Sequence, residues 1–465
     1  MKKDSLDIVV IGGGPGGYAA AFYLAAQGQK VTLIEKAQLG GVCLNRGCIP
    51  SKSLLNMAHL IEEARAAKDK GLDFGGDPKI DLDKLRTWKQ SVVEKLSGGI
   101  AHLAKAKGVD VINGRAYFED GQTLRIETEK GQKYASFNKA VIATGSSAAM
   151  PATFDLGNPR IMTATEALNI EDIPKELLVV GGGYIGMELG QVYAMLGSKV
   201  TVVEAMPRIL MGLDNDLLRP FLKKADEQFE DIRLNCSVTK MKTVGKQIGV
   251  EMTQDGKKIS ESYDRVLIAV GRRPNSDEMG LENTGVQLDD RGYIKVNDQQ
   301  QTAESSIYAI GDIVGGALLA HKASREAKIA ANHIIGEVSN TEYALPAVVF
   351  TDPEIATVGL TESEAKEKKI KVKVAKCPWS ASGRALSFGD ASGLTKLIMD
   401  PDTNRILGVG IVGRSAGELI AEATLAVEMG ATADDFAETV HAHPTLSETI
   451  LESAELALGH AIHLT

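Results

Sequence analysis

The stretch "LDIVVIGGGPGGYAAAFYLAAQGQKVTLIEK", residues 6–36, decides the fold. It opens on a β-branched run, passes Gly12, Gly14 and Gly17 in G-x-G-x-x-G register, continues through an alanine-rich segment and a second β-branched run, and ends at Glu35. That order predicts strand, turn, helix, strand and a terminal acid. The glycines permit a tight turn, approach of backbone to a pyrophosphate and close helix packing, and the helix N-terminus offers N–H donors to phosphate oxygens. A carboxylate ending the second strand can accept both hydroxyls of an adenosine ribose. The glycine register alone is a weak signal, and an acid at a loop start is the plain reading of Glu35. Together they predict a dinucleotide site.

The unit then recurs. "ELLVVGGGYIGMELGQVYAMLGSKVTVVEA", residues 176–205, sets Gly181, Gly183 and Gly186 before another helix and strand and ends near Glu204. Gly12 to Glu35 and Gly181 to Glu204 span the same 23 positions. Short segments follow each unit, "VIATG" at 141–145 and "LIAVG" at 267–271, and each reads as a strand ending in a tight turn. A third such strand, "SIYAIGDI" at 306–313, has no glycine fingerprint and is expected to rejoin the first domain. From about residue 345 no nucleotide motif remains, and the strand and helix patterns read as α+β. The expected architecture is α/β, with two Rossmann-like domains and an α+β C-terminal domain. The expected division is 1–148 and 149–272 for the two nucleotide domains, 273–344 for a return to the first, and 345–465 for the last.

Bulk properties agree with a globular enzyme. At roughly 100–200 residues per domain, 465 residues hold two to four domains. Hydrophobic residues at 44% and charged residues at 24% are a soluble mixture. A net charge of −9 argues against a nucleic-acid-binding face. The opening "MKKDSLDIVVIGGGPGG" places lysines before an apolar run, but Asp7 and the glycines cut that run too short for a signal peptide. No stretch approaches the ~20 apolar residues of a membrane helix. A cytoplasmic setting with reduced cysteines is therefore expected.

Only four cysteines are present, and two of them, Cys43 and Cys48, lie in "GGVCLNRGCIPSK" at 40–52. In a reducing compartment a close pair is more often catalytic or metal-binding than a structural staple. Zinc wants four ligands, and Cys236 and Cys377 are each solitary, so those two read as small buried hydrophobes and no metal is expected. Pro50 suits the first turn of a helix beginning just after Cys48, which would place Cys48 at a helix N-terminus, where a thiolate is stabilised. Gly47 eases the curl that a Cys43–Cys48 bond would need. The pair reads as a redox dithiol beside the first nucleotide.

At this point "GGVCLNRGCIPSK" resembles the redox-active disulfide segment of the flavoprotein disulfide reductases. "LAHKASREA" at 319–327 and "HAHPTLSE" at 441–448 are similar to those members of the family that oxidise dihydrolipoamide for 2-oxo acid dehydrogenase complexes. The likeness covers essentially the whole chain. It implies FAD in the first fold, contacted by Gly12, Gly14, Gly17, Glu35, Lys52, Thr144, Gly145, Asp312 and Ala320, with Asp312 on the ribitol. It implies NAD in the second, near Gly181, Gly183, Tyr184, Gly186, Glu188, Glu204 and Gly271, with Glu204 on the adenosine ribose. Cys48 would touch the flavin and Cys43 the substrate, Lys52 would pair with Glu188, and His443, oriented by Glu448, would be the acid/base. His321 would be structural and His441 a packing residue.

The resemblance further implies a homodimer whose sites are shared between subunits. Its implied partners are the lipoyl domains of an E2 acyltransferase or a glycine-cleavage H protein. The chain begins almost at its first strand, so no fused lipoyl domain is expected ahead of it. Many members have an aliphatic residue at the position of Tyr184, while glutathione reductase resembles this chain in carrying a tyrosine there. A glutathione- or mercuric-type reductase is the competing enzyme reading. Against it, Glu204 stands where a 2′-phosphate would need basic residues, and the ending "GHAIHLT" lacks the further cysteine pair of mercuric reductases. A binding module with an unused redox motif is the third reading.

Overall fold

The computed structural model describes residues 4–464; Lys2 and Lys3, which precede the first apolar run, lie outside them. The first domain is built on a parallel sheet whose centre is the strand Asp4–Ile11, paired with Val31–Glu35 on one side and Gly131–Ile142 on the other. Val9, Val10 and Leu33 are fully buried, as near-continuous apolar strands are when helices cover both faces. The helix Pro15–Ala26 starts with its proline in the first turn, where no N–H is needed. It lies against the helix Ala320–Ile335. The two approach closely because Gly16 has no side chain: a Cβ there would stand 3.2 Å from that of Ala323.

The segment "SIYAIGDI" lies in this first sheet, because Ile307–Ala309 pairs in parallel with Ala140–Ile142. The chain leaves the first sheet and returns to it through a two-stranded ribbon, Ser146–Ala148 against Arg272–Pro274. Between these crossings lies the second nucleotide domain. Its five-stranded parallel sheet is centred on Glu176–Val180, which is flanked by Lys199–Val203 and Arg265–Ile268. A three-stranded antiparallel sheet over 236–263 packs on it. The C-terminal domain is a five-stranded antiparallel sheet covered by the helices Ala416–Met429 and Glu448–Leu458. Trp379 is buried in it over two glycines: a Cβ at Gly393 or Gly413 would stand 2.3 Å from the indole. Among the described residues no helix is long and apolar enough to cross a membrane. The helix Ala416–Met429 leaves Leu425 and Met429 more than half exposed, and Val440 and Ile462 of the same domain are also bare.

The second and third domains are joined by charge. Lys396, whose side chain is 1% exposed, places its ammonium 2.7 Å from Asp214, 2.8 Å from Asp216 and 2.9 Å from Glu362. Among the described residues these three acids are the one grouping with metal-ligand spacing, and the ammonium already fills it. Lys376 adds a second cation, 2.7 Å from Asp216. Burial raises the Asp214 carboxyl, but the hydrogen bonds from Lys396, Ser363 and Glu362 outweigh it and bring it down to about 2. A carboxyl held below its unfolded value stabilises the fold above that value and loses the contribution as pH falls toward 2.

Removing the cation should reverse that sign. In Lys396→Met the crowded acids repel one another, so they bind protons more readily folded than unfolded. We expect a loss of about 3–5 kcal/mol at pH 7.5, the cost of breaking a buried ion pair from one side, and a smaller deficit at pH 4.5. Urea denaturation at both pH values measures this. An equal deficit at the two would show that the acids are not the source.

Candidate functional site

Each glycine loop is shaped by contacts that exclude a side chain. Gly12 and Gly181 have φ of +103° and +109°, and a Cβ on either would stand 2.4 Å from a carbonyl oxygen, of Ala143 and Ala269 respectively. A Cβ at Gly17 would reach 1.8 Å from the oxygen of Gly12, and one at Gly186 2.1 Å from that of Gly181. The middle glycines differ. Nothing lies closer than 3.9 Å to a Cβ at Gly14, and nothing within 4 Å at Gly183. The first and third positions are therefore fixed by the protein, and the second faces free space at a helix N-terminus, as a phosphate cradle requires.

The terminal acids repeat as closely. Glu35 accepts hydrogen bonds from the N–H of Gly13 at 2.6 Å and of Ala37 at 2.7 Å. Glu204 accepts them from Gly182 at 2.7 Å and Met206 at 2.8 Å. Each carboxylate thus clips its own glycine loop to the end of the second strand, with lone pairs left for a ribose. The residues present fit two dinucleotides.

A cavity of about 800 Å³ runs from the first glycine loop past Thr144, Gly145 and Ala320 to Cys48 and Tyr184. Asp312 stands on its wall, where Ser146 donates to its carboxylate and Arg272 lies 3.6 Å away. Arg272 also donates to the hydroxyl and the carbonyl of Ser146, both at 2.7 Å. Behind Asp312, the N–H of Gly311 donates to buried Glu326 at 2.7 Å, and Lys322 pairs with the same acid at 2.5 Å. This is the structural content of "LAHKASREA". Its histidine, His321, bonds the carbonyl of Pro346 at 2.7 Å.

The cysteines meet where two helices join. Cys43 lies in the helix Gly41–Arg46, Gly47 turns the chain, and the next helix, Cys48–Ala66, begins on Cys48 itself. The turn is tight: a Cβ on Gly47 would stand 3.0 Å from the oxygen of Val42 and 3.2 Å from the Cα of Cys43. Both cysteines are thiols in this structure and they hydrogen-bond to each other. The bond from Cys43 is the largest influence on Cys48 and, with the nearby charge of Lys52, lowers its pKa to about 7 against burial and Glu188. Cys43 is pushed far upward by the same bond and by burial. The influences on the two sulfurs are asymmetric, lowering the Cys48 thiol and raising that of Cys43. Cys236 and Cys377 are 1% exposed and stand apart from it.

Lys52, one turn beyond Cys48, places its ammonium 2.7 Å from Glu188, which is nearly fully buried on the helix Tyr184–Leu196. Tyr184 opens that helix and is 40% exposed toward the cavity. Burial raises its hydroxyl pKa, and Arg272, Asp312 and Cys48 are among the charges it senses.

In the C-terminal domain, His443 Nδ1 lies 2.8 Å from Glu448, whose other oxygen accepts the N–H of Thr445 at 2.7 Å. The His443 side chain is 80% exposed and does not line the cysteine cavity of its own chain. His441, by contrast, is buried against Glu422 at 2.8 Å. One chain therefore assembles Cys43, Cys48, Lys52, Tyr184, Glu188 and Asp312, and leaves His443 and Glu448 facing outward. Arg272 and Ser146 are site residues that the sequence reading missed. "RRPN" directly after "LIAVG" was the available signal for Arg272, and it carries no spacing rule.

The open middle glycines make a sharp expectation. Gly14→Val and Gly183→Val should fold, since neither Cβ meets a neighbour, and each should lose one nucleotide only. Gly14→Val should purify without yellow colour, while Gly183→Val should keep bound flavin and lose NADH binding in a titration. Retention of both ligands by either variant would contradict the assignment of cradles.

Comparison with known proteins agrees with this geometry. Residues 6–327 match the family described as pyridine nucleotide-disulphide oxidoreductase, and residues 345–454 match its dimerisation domain. The chain is 44% identical to a dihydrolipoyl dehydrogenase of Staphylococcus aureus over 458 residues, 98% of this chain and 97% of that one. It is 45% identical to the Bacillus subtilis (strain 168) enzyme of the same name over 462 residues, with the same shares covered. The solved structure of LpdA from Mycobacterium tuberculosis superposes with a TM-score of 0.90 at 29% identity, covering 97% of this chain and 99% of that one. The HOCl-induced flavoprotein disulfide reductase RclA from Escherichia coli gives 0.86 at 29% identity, also over 97% and 99%. With two glycine cradles, a dithiol between them and a dimerisation domain behind, this chain belongs to the pyridine nucleotide-disulphide oxidoreductase family.

Proposed function

We propose that this protein is a dihydrolipoyl dehydrogenase, converting dihydrolipoamide and NAD+ to lipoamide, NADH and a proton. The asymmetric Cys43–Cys48 pair carries the reading. FAD in the first cradle and NAD in the second, when bound, supply two-electron exchange between the Cys48 sulfur and the nicotinamide. The protein's own groups do the rest.

In the oxidised enzyme Cys43 and Cys48 share a disulfide. His443 accepts a proton from one substrate thiol, and the thiolate formed attacks the sulfur of Cys43. Cys48 departs as thiolate beside the ammonium of Lys52, which favours its charge. His443 passes its proton to the departing Cys43 and takes the proton of the second substrate thiol, whose sulfur closes the lipoamide ring. Glu448 fixes the ring tautomer through Nδ1 and leaves Nε2 for the transfer. Lys52 keeps positive charge beside Cys48, Glu35 and Glu204 hold the two ribose subsites, and Asp312 holds the flavin side chain.

The dimerisation-domain match supports a homodimer. The outward His443 and the bare Leu425 and Met429 support a site completed across it. Lipoyl domains of an E2 acyltransferase, or a glycine-cleavage H protein, are the partners that fit the substrate. A cytoplasmic location suits a dithiol that cycles through its reduced form.

Steady-state assay tests the reading directly. Dihydrolipoamide with NAD+ should give fast turnover, NADP+ should be a poor substitute because Glu204 repels a 2′-phosphate, and glutathione disulfide with NADPH should give none. Turnover of glutathione disulfide in place of dihydrolipoamide would replace this function with the competing one. Mixed dimers test the shared site. With Cys48→Ser in one subunit and His443→Gln in the other, one site holds both defects and the second is intact, so about half the native rate per dimer should return. If the histidine instead serves its own chain, both sites are impaired, and only a residue of roughly 10²- to 10⁴-fold lower activity remains from the histidine-deficient one.

A further inference from the structure

Lys52 meets one carboxylate and one aromatic ring. Its ammonium is 2.7 Å from Glu188 and lies over the ring of Phe350, 4.4 Å from the centroid. The same phenylalanine grips the anion: its main-chain N–H donates to the second oxygen of Glu188 at 2.9 Å. Phe350 stands between the first two strands of the C-terminal domain, Ala347–Val349 and Glu354–Gly359. It is held there because Asp352 exchanges two hydrogen bonds with fully buried Gln191, at 2.8 and 3.0 Å. Gln191 lies three residues after Glu188 on the same helix face. The C-terminal domain is thus pinned beside the dithiol through one helix of the nucleotide domain.

We propose that Phe350 is a positioning residue for the redox pair, holding Glu188 through its N–H and Lys52 through its ring so that the ammonium stays turned toward Cys48. A ring face attracts a cation through its quadrupole and brings no net charge. It can therefore hold the ammonium without cancelling the field that Cys48 feels, whereas a second carboxylate would oppose the thiolate. Glu188 already does so: it raises the Cys48 thiol while Lys52 lowers it. The other groups facing Cys48 are the Cys43 thiol, which stabilises the thiolate, and the Tyr184 hydroxyl.

The inference rests on the reading of Cys48 as the thiolate of the pair. Its test uses no substrate, so it stands or falls separately from dihydrolipoamide turnover. In holoenzyme carrying Cys43→Ser, the pH profile of iodoacetamide labelling at Cys48 is followed by peptide mass. Phe350→Leu keeps the N–H and the apolar bulk but removes the ring face. We expect its profile to move upward by about half a pH unit, roughly threefold in the thiolate–thiol ratio. Phe350→Tyr, which keeps the face, should restore the parent profile. With Lys52→Met already present, Phe350→Leu should add no shift. An unmoved profile in Phe350→Leu, an equal shift in Phe350→Tyr, or a shift that persists without Lys52 would each overturn the proposal.

Discussion

A negative sulfur close to a buried carboxylate is the constraint on which the arrangement depends. Burial and Glu188 both oppose the charge on Cys48, and a hydrogen bond from Cys43 together with the ammonium of Lys52 overcomes them. Both compensating groups are fixed by the same short segment. The glycine turn at Gly47 folds Cys43 back toward Cys48, and the helix that starts on Cys48 presents Lys52 one turn later. Lys52 must then be held against the pull of solvent, which brings in Glu188 from the second nucleotide domain and Phe350 from the third. Three domains converge because one sulfur needs its charge balanced.

The two nucleotide domains solve a common problem by a common device. A loop that leaves its middle glycine open for a phosphate has lost the side-chain packing that would keep it rigid. In both units the terminal acid supplies that rigidity by accepting the N–H of the glycine inside the loop, Gly13 for Glu35 and Gly182 for Glu204. The acid therefore shapes the loop itself.

The glycine loops, their acids and the dithiol were legible in the sequence because local spacing and backbone sterics dictate them. Gly12 and Gly17 are glycines for reasons contained within the loop and the strand that follows it. The pairing of Lys52 with Glu188, 136 positions apart, came from family resemblance and is present as a 2.7 Å contact. Arg272, Ser146 and Phe350 could not be read. Their partners come from other segments of the chain, and an arginine after a strand or a phenylalanine in an apolar run has no periodicity that marks it. The same holds for Lys396, which sits in a strand like many solvated lysines and is buried only because Asp214 and Glu362 arrive from elsewhere. The outward placement of His443 was not legible, since nothing in "HAHPTLSE" says which way its ring points.

Lys396 and Lys52 show how the same side chain serves two ends. Lys396 meets three carboxylates and projects little field, so its charge serves cohesion between domains. Lys52 meets one carboxylate and an aromatic ring, so it stays held yet under-neutralised, and the uncancelled part of its charge reaches Cys48. Stability alone would favour a second anion beside a half-buried ammonium. A neutral ring there gives up some of that attraction for a thiolate at neutral pH, which is the state that a dithiol must reach to leave, to accept and to be reoxidised.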